Sequence, residues 1–142
     1  MKKFFLVFNH ILAPEQEKDA RETLGVEEFV FLPENLKAIW SQIPADLVDL
    51  REILGPISEF VREKLAPGDF ALVQGDYGAS FYLVNLVREL GGIPVYATSR
   101  REVENEVVGI DPNGETVVKK VHRFRHQIFR PYFPEDLTHG ST

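Results

Sequence analysis

The stretch Phe70-Ala71-Leu72-Val73-Gln74-Gly75-Asp76-Tyr77-Gly78-Ala79-Ser80 decides the fold class, because it joins an apolar run to a helical one through two glycines. A continuous apolar run such as 70–73 is typical of a buried central strand in a parallel sheet. The apolar segment at 79–90 ends at Gly91-Gly92, which predicts a buried helix. Strand, glycine turn and helix together predict the repeating unit of an α/β protein.

The same alternation extends on both sides of this unit. Further strands are predicted at 3–8, 28–32 and 93–97. Further helices are predicted at 13–25, 34–41 and 46–65, with Gly55-Pro56 dividing the last of them. Beyond residue 101 the pattern changes, since 103–110 and 116–128 flank Asp111-Pro112-Asn113-Gly114 and predict a β-hairpin.

This order predicts a mostly parallel sheet with flanking helices and a C-terminal β-hairpin. A chain of 142 residues has the common size of one domain, so we expect a single α/β domain over 1–130 that includes the hairpin at 103–129. Residues 131–142 are expected to form a loose tail. No internal repeat is present.

Composition excludes several classes of protein. The chain has no cysteine, which rules out disulfides, thiolate metal sites and a cysteine nucleophile, and is compatible with a reducing cytoplasm. Lys2 and Lys3 precede an apolar run, but Asn9 and His10 end it after residue 8, so a buried strand is favoured over a signal peptide. No apolar stretch approaches the roughly 20 residues that cross a bilayer, and we expect a soluble protein without membrane contact.

The charge distribution limits the possible ligands. A net charge of −6 argues against binding of long nucleic acid, which depends on many contacts from Lys and Arg to phosphates. Residues 116–130, however, contain five basic side chains and no acid. This local positive surface suits a small compact anion, although a solvated edge strand protected from aggregation is the more usual explanation.

Three loop segments are expected at one edge of the sheet, because parallel strands place their carboxyl ends together. They are Asn9-His10, Gln74-Gly75-Asp76-Tyr77-Gly78-Ala79-Ser80 and Thr98-Ser99-Arg100-Arg101. The glycines of the second segment allow a ligand close to the backbone, and N–H groups at a helix start can hold a phosphate or a base edge. Neither the dinucleotide nor the P-loop glycine pattern is present, and a tight turn for helix packing is the alternative.

The side chains in these segments suit an anionic, nucleotide-like ligand. His10 is a candidate general acid or base, or a hydrogen-bond donor, and its alternative role is a polar end to the first strand. Thr98 and Ser99 offer hydroxyls to phosphate oxygens, and Arg100 offers a guanidinium. Adjacent arginines in an extended chain point to opposite faces, so only one reaches the site, and Arg100 is favoured.

Metal chemistry has little support in the sequence, whereas base stacking has some. His122 and His126 lie four residues apart, but in a strand this separates them by about 13 Å, too far for one ion. We therefore expect no metal and no other cofactor. Tyr77 is the better candidate for stacking on a base, since Trp40 in its helix is more typical of a core residue.

Four strings together resemble a known family. They are Phe8-Asn9-His10, Leu32-Pro33 with Trp40-Ser41-Gln42-Ile43-Pro44, Leu72 to Ala79, and Ile93-Pro94-Val95-Tyr96-Ala97-Thr98-Ser99-Arg100. Over roughly 3–128 the chain resembles the small accessory proteins of type III CRISPR systems that look like minimal CARF domains. The resemblance implies a Rossmann-like (CARF-like) fold and a cytoplasmic homodimer that binds a cyclic oligoadenylate, most often cyclic tetra-adenylate.

The resemblance also implies a ring nuclease, which cuts this second messenger without a metal and so switches off the antiviral response. On this basis His10 and Arg100 are the candidate catalytic residues. Asn9, the segment 74–80, Thr98 and Ser99 are the candidate ligand contacts. The alternatives are a module that binds the ring without cutting it, and an enzyme that uses an adenosine cofactor, whose glycine fingerprint is missing.

Overall fold

The computed structural model describes residues 1–138, so positions 139–142 of the predicted tail lie outside the described part of the chain. Within that part, the strands are β1 (Lys3–Val7), β2 (Glu28–Phe31), β3 (Phe70–Val73), β4 (Ile93–Ile110) and β5 (Thr116–Pro131). The helices are α1 (Pro14–Thr23), α2 (Glu34–Ser41), α3 (Gly55–Lys64), α4 (Tyr77–Glu89) and α5 (Glu135–Thr138).

The strands form one sheet in the order β2-β1-β3-β4-β5. β1 pairs in parallel with β2 and β3, and β3 pairs in parallel with β4. β5 runs antiparallel to β4 and forms that edge of the sheet. The chain is therefore an α/β protein with a mixed sheet, and the predicted parallel arrangement is confirmed for the first four strands.

Helices cover both faces of the sheet and create two apolar clusters. On one face α1 contributes Ala20 to a cluster that contains Phe4 and Phe129. On the other face α2, α3 and α4 contribute to a second cluster, which contains Trp40 and Leu83. Because both faces of β3 are covered, all four of its residues are buried, which explains its continuous apolar sequence.

β4 is one continuous strand of 18 residues, which corrects the predicted division into a strand at 93–97, a loop at 98–101 and a separate hairpin. Its partner β3 ends beside Val95, so from Ser99 to Ile110 β4 pairs only with β5 and the two form a ribbon. No glycine or proline interrupts the chain between Ala97 and Val103. Cross-strand pairing therefore keeps the backbone extended through the segment expected to be a loop.

The ribbon carries much of its charge in cross-strand pairs. Arg125 lies 2.7 Å from Glu102, and Arg123 lies 3.2 Å from Glu104. The positive surface predicted from 116–130 is therefore partly neutralised by acids of β4. This arrangement fits the solvated-edge explanation better than an anion site.

The predicted loose tail is wrong for residues 131–138. Tyr132 and Phe133 pack against the apolar cluster that contains Trp40, and the Tyr132 backbone N–H donates to the Pro94 carbonyl at 3.0 Å. The Arg88 guanidinium of α4 lies 3.7 Å from the centre of the Phe133 ring. Two large aromatic residues in this short segment give it enough apolar surface to be held on the body of the protein.

Two helices begin at residues other than the predicted ones. α3 starts at Gly55 with Pro56 in its first turn, so the apolar spacing at 46–54 does not produce a helix. α4 starts at Tyr77 rather than at Ala79. The reason is a helix cap, because the Asp76 carboxylate accepts a hydrogen bond of 3.0 Å from the Ala79 backbone N–H.

Candidate functional site

The predicted site lies where the connections of two neighbouring strands diverge. β1 and β3 are adjacent and parallel, but β1 leads to α1 on one face and β3 leads to α4 on the other. Such a divergence leaves a crevice outside the strand ends, where parallel α/β proteins bind ligands. Two clefts flank Gln74 there: the α4 cleft, lined also by Tyr77, Tyr96 and Tyr132, and the α1 cleft, lined also by Ser99, Phe124 and His126.

Gln74 is fixed in place by three hydrogen bonds. Its backbone N–H donates to Val7 at 3.2 Å, and its carbonyl accepts from the Trp40 indole at 2.9 Å. Its side-chain oxygen accepts from the Ala97 backbone N–H at 2.8 Å. Of the polar groups of Gln74, the side-chain NH₂ alone has no partner within residues 1–138, so Gln74 can offer this group to a ligand.

The glycine loop is less suited to a phosphate than the sequence predicts. Asp76 occupies the start of α4, and its carboxylate accepts the Ala79 N–H that was expected to face a ligand. A carboxylate at this position also repels an anion. The helix start therefore favours a base edge or another uncharged group over a phosphate.

The α4 cleft is mostly aromatic and apolar and encloses about 480 Å³. Its lining comprises Gln74, Gly75, Tyr77, Ser80, Phe81, Val84, Tyr96 and Tyr132. The Tyr96 and Tyr132 rings are 4.9 Å apart, and Tyr77 is 96% exposed at the cleft's opening. The Ser80 hydroxyl is buried and has no hydrogen-bond partner among the described residues. A small-molecule site usually has this composition, which is an apolar cleft with a few polar groups.

Tyr132 links the chain after β5 to the strand beside the glycine loop. Its hydroxyl donates to the Val73 carbonyl at 2.5 Å. Burial, with a smaller contribution from Tyr96, raises the pKa of Tyr132 above the ordinary value of about 10. The hydroxyl therefore remains a neutral donor in the folded protein at higher pH than in the unfolded chain.

The variant Tyr132→Phe is expected to be less stable than the natural protein by about 1 kcal/mol, the usual net value of one hydrogen bond. The tyrosine of the unfolded chain ionises at about pH 10, before that of the folded protein. The hydroxyl's contribution to the free energy of unfolding is therefore complete below about pH 10 and is lost as the pH rises through the pKa of the folded state. The stability gap between the two proteins should therefore narrow in urea unfolding at pH 10.5 compared with pH 8. A gap that stays constant would contradict the role of the hydroxyl.

The α1 cleft is smaller, about 270 Å³, and more polar. Its lining comprises Phe8, Ala13, Glu15, Gln16, Gln74, Ala97, Thr98, Ser99, Phe124 and His126. The Thr98 hydroxyl is engaged with the Ile128 backbone at 3.1 and 3.2 Å, so of the two predicted hydroxyls Ser99 is the more available. Thr98 and Ser99 thus lie in a cleft, as their predicted role requires.

The structure does not bring the predicted catalytic residues together. His10 and Asn9 follow β1, are exposed and line neither cleft, although the His10 ring lies 5.3 Å from Phe8, which lines the α1 cleft. Arg100 is exposed, and strand alternation places it on the opposite face of β4 from Ser99. Arg101 lies on the Ser99 face but contacts His122 at 3.0 Å.

Several cleft residues were missed by sequence reasoning. Phe81, Val84 and Tyr132 contribute to the α4 cleft, and Phe124 and His126 contribute to the α1 cleft. The aromatic pair Tyr132-Phe133 in the supposed tail was a signal for Tyr132. No signal was available for His126, which joins the cleft through contacts with a helix over 100 positions earlier in the chain.

His122 and His126 both lie in β5, as their strand interpretation requires. Within residues 1–138, no group of three or more His, Asp or Glu side chains is arranged to hold a metal ion. Over the same residues, every helix is too short or too polar to traverse a lipid bilayer.

The strand order and the clefts define the class of protein. It is a small α/β protein with a crevice where the connections of neighbouring parallel strands diverge. The chain belongs to the Uncharacterized protein MJ1673 family, whose sequence profile matches residues 2–130. It is 39% identical over 134 residues to "Uncharacterized protein MJ1673" from Methanocaldococcus jannaschii, a match that covers 94% of this chain and 99% of that protein. No solved structure matches the chain.

Proposed function

We propose that this chain forms a homodimer that binds cyclic tetra-adenylate and cuts it without a metal ion, as a ring nuclease that switches off type III CRISPR antiviral signalling. A Rossmann-like (CARF-like) fold and a cytoplasmic location are part of the proposal. The observation that carries it is the α4 cleft, an aromatic pocket at the strand ends. The order β2-β1-β3-β4 with all four strands parallel supports the fold assignment.

Adenine matches the chemistry of the α4 cleft. Its flat face stacks on aromatic rings such as Tyr77 and Tyr96, and its edge carries donors and acceptors. The Ser80 hydroxyl, which lacks a partner in the described chain, and the Gln74 NH₂ can bond that edge. An uncharged ring also tolerates the Asp76 carboxylate, which would repel a phosphate.

The phosphates of the ring would lie outside the aromatic pocket, near arginines of β4 and β5. The Arg130 guanidinium donates to the Tyr96 hydroxyl at 3.0 Å. Arg100 lies two residues further along the same face of β4 as Thr98 and has no ion pair in the described chain. Arg130 therefore stands beside the α4 cleft and can balance a phosphate there, whereas Arg100, which lines neither cleft, can meet a phosphate only outside both.

The exposed aromatic side chains of α4 support the proposed dimer. Tyr77 and Phe81 are four residues apart, so they share one face of the helix, and both are largely exposed. Contiguous exposed apolar surface of this kind marks an interaction site. Two copies joined through α4 would place their α4 clefts side by side, so that one ring of four adenylates spans both.

The reaction requires little from the protein. A ribose 2′-OH attacks the adjacent phosphorus, and the protein holds that oxygen in line and stabilises the charge that develops on the phosphate. In the roles predicted from the sequence, His10 assists proton transfer and Arg100 holds the phosphate.

The purified protein is expected to convert cyclic tetra-adenylate to linear products in the presence of EDTA, as resolved by chromatography. Tyr77→Ala should weaken binding about 5- to 150-fold, because stacking of a base contributes about 1–3 kcal/mol. Binding is measured with cyclic tetra-2′-deoxyadenylate, which lacks the attacking hydroxyl. Parallel assays with cyclic tri- and hexa-adenylate establish the preferred ring size.

Phe31→Ala is the matched control, since Phe31 is an aromatic residue 67% exposed on β2, at the far edge of the sheet. Its affinity should equal that of the natural protein. Equal affinities for Tyr77→Ala and Phe31→Ala would remove the aromatic cleft from the site. An intact ring after long incubation would instead overturn the nuclease activity.

A non-catalytic module that binds cyclic oligoadenylate is the second candidate. It is favoured by one observation, which is that neither His10 nor Arg100 lines the α4 cleft or the α1 cleft. Tight binding of the natural ring without cleavage would support this candidate.

A further inference from the structure

The α1 cleft contains a buried histidine that the reaction outlined above does not use. His126 of β5 lines this cleft, and its side chain is only 5% exposed. Its Nε2 lies 2.7 Å from a carboxylate oxygen of Asp19 in α1. Its Nδ1 is buried and has no hydrogen-bond partner within residues 1–138.

A purely structural role does not account for this arrangement. The backbone N–H of His126 already donates to Glu15 of α1 at 3.2 Å, so β5 and α1 are joined without the imidazole. Leaving a buried ring nitrogen without a partner costs free energy, and buried polar groups in folded proteins are nearly always hydrogen-bonded. The exception calls for a role for Nδ1 itself.

We propose that His126, oriented by Asp19, is the general base of the ring-cleavage reaction, an inference that rests on the proposed function. A carboxylate that accepts from Nε2–H fixes the neutral tautomer in which Nδ1 carries the lone pair. It also stabilises the imidazolium that forms when Nδ1 takes a proton. His10 has no such support, since its ring contact is with Phe8 and no carboxylate pairs with it in the described chain.

The position of His126 suits the sugar of a bound nucleotide. Gln74 lines both clefts, so a nucleotide whose base occupies the α4 cleft can extend its ribose past Gln74 toward the α1 cleft. His126 Nδ1 is buried in the protein without ligand. A ligand therefore has to displace a neighbouring side chain to reach this nitrogen. Phe124, which lines the same cleft and is 69% exposed, has the freedom to move.

The step balances without an additional reagent. Nδ1 of neutral His126 takes the proton of a ribose 2′-OH, and the oxygen forms a bond to the adjacent phosphorus. The bond from phosphorus to the 5′-oxygen breaks, and this oxygen takes a proton from water. The products are a 2′,3′-cyclic phosphate and a 5′-hydroxyl, and the imidazolium returns its proton to the solvent.

The test compares cleavage with binding in the natural protein and four variants. His126→Gln keeps an NH₂ for Asp19 but removes the base, and should lower kcat about 100-fold or more, the usual contribution of a general base. Asp19→Asn should lower kcat about tenfold. His122→Gln, on the exposed ribbon, should match the natural protein. The affinity for cyclic tetra-2′-deoxyadenylate should be unchanged throughout, and added imidazole should restore cleavage by His126→Gly.

The outcomes separate this inference from the function on which it rests. If the natural protein leaves cyclic tetra-adenylate intact, the nuclease itself is overturned and the role of His126 with it. If the natural protein cleaves and both His126→Gln and Asp19→Asn retain their kcat within threefold, only the role of His126 is overturned. Should His126→Gln fail to fold in thermal unfolding, Asp19→Asn decides alone, since an unchanged kcat in that variant contradicts the base and a tenfold loss supports it.

Discussion

Gly75→Ala is expected to lower the free energy of unfolding by about 2–4 kcal/mol and to weaken ligand binding in the α4 cleft. A methyl group at this position would lie 2.7 Å from the Trp40 Nε1 and 2.9 Å from its Cε2. The indole is buried and donates to the Gln74 carbonyl, so it cannot move aside without losing that hydrogen bond. Overpacking and the lost bond therefore act together on the loop between the two clefts.

Gly78→Ala is the matched control for stability, because Gly78 lies in the same segment, 74–80, and its substitution is not expected to destabilise the protein. A methyl group there would meet Leu50 at 3.4 Å and Asp76 at 3.5 Å, which are ordinary contacts. Gly78 is in the first turn of α4, where alanine favours the helix by up to about 1 kcal/mol. Urea unfolding should thus show Gly75→Ala destabilised and Gly78→Ala unchanged or stabilised, and equal losses would refute the close approach to Trp40.

Asp69→Ala is expected to have the largest effect on stability, a loss of about 2–5 kcal/mol. The buried Asp69 carboxylate accepts the Lys3 backbone N–H at 3.1 Å and the Ala66 backbone N–H at 2.8 Å. Removing it takes the charged acceptor from two partly buried hydrogen bonds, at about 1–3 kcal/mol each. These bonds hold the start of β1 to the turn before β3 and so set the register of the sheet's centre.

Two further variants separate the hydrogen bonds from the ion pair at Asp69. Asp69→Asn keeps one acceptor oxygen and should lose about half as much stability as Asp69→Ala. Lys3→Met removes a partly exposed ammonium group that lies 3.6 Å from the Asp69 carboxylate. This change should lower the free energy of unfolding by less than about 1 kcal/mol. Denaturant unfolding of the three variants measures the order of the losses. If Lys3→Met is as destabilised as Asp69→Ala, the ion pair and not the backbone hydrogen bonds stabilises the structure around Asp69.

Local sequence was enough to locate most of the helices and strands. The apolar run at 70–73 predicted β3, and the position of Pro14 predicted the start of α1. It failed where the decisive partner is distant. The polar residues at 98–101 look like a loop, but they stay in a strand because β5 pairs with them, and the Tyr132 segment is ordered by Val73 and Pro94.

The candidate site shows the same division. Sequence placed Gln74, Tyr77, Thr98 and Ser99 at the strand ends, and the structure puts each of them in the lining of a cleft. It also selected His10 and Arg100, which line neither cleft, and considered His126 only as a metal ligand. The roles of His10 and Arg100 stay predictions, and the variants of His126 and Asp19 test the role of His126.

By itself, the sequence of this protein determined the α/β class, the parallel strands and the strand ends as the place for a site, because apolar periodicity and glycine punctuation are local signals. Only the tertiary structure decided which side chains meet there. The Asp19–His126 pair joins residues 107 positions apart, and the Trp40–Gln74 bond joins residues 34 apart. Such contacts depend on strand order, register and the packing of α1 and α4 on opposite faces, none of which periodicity encodes.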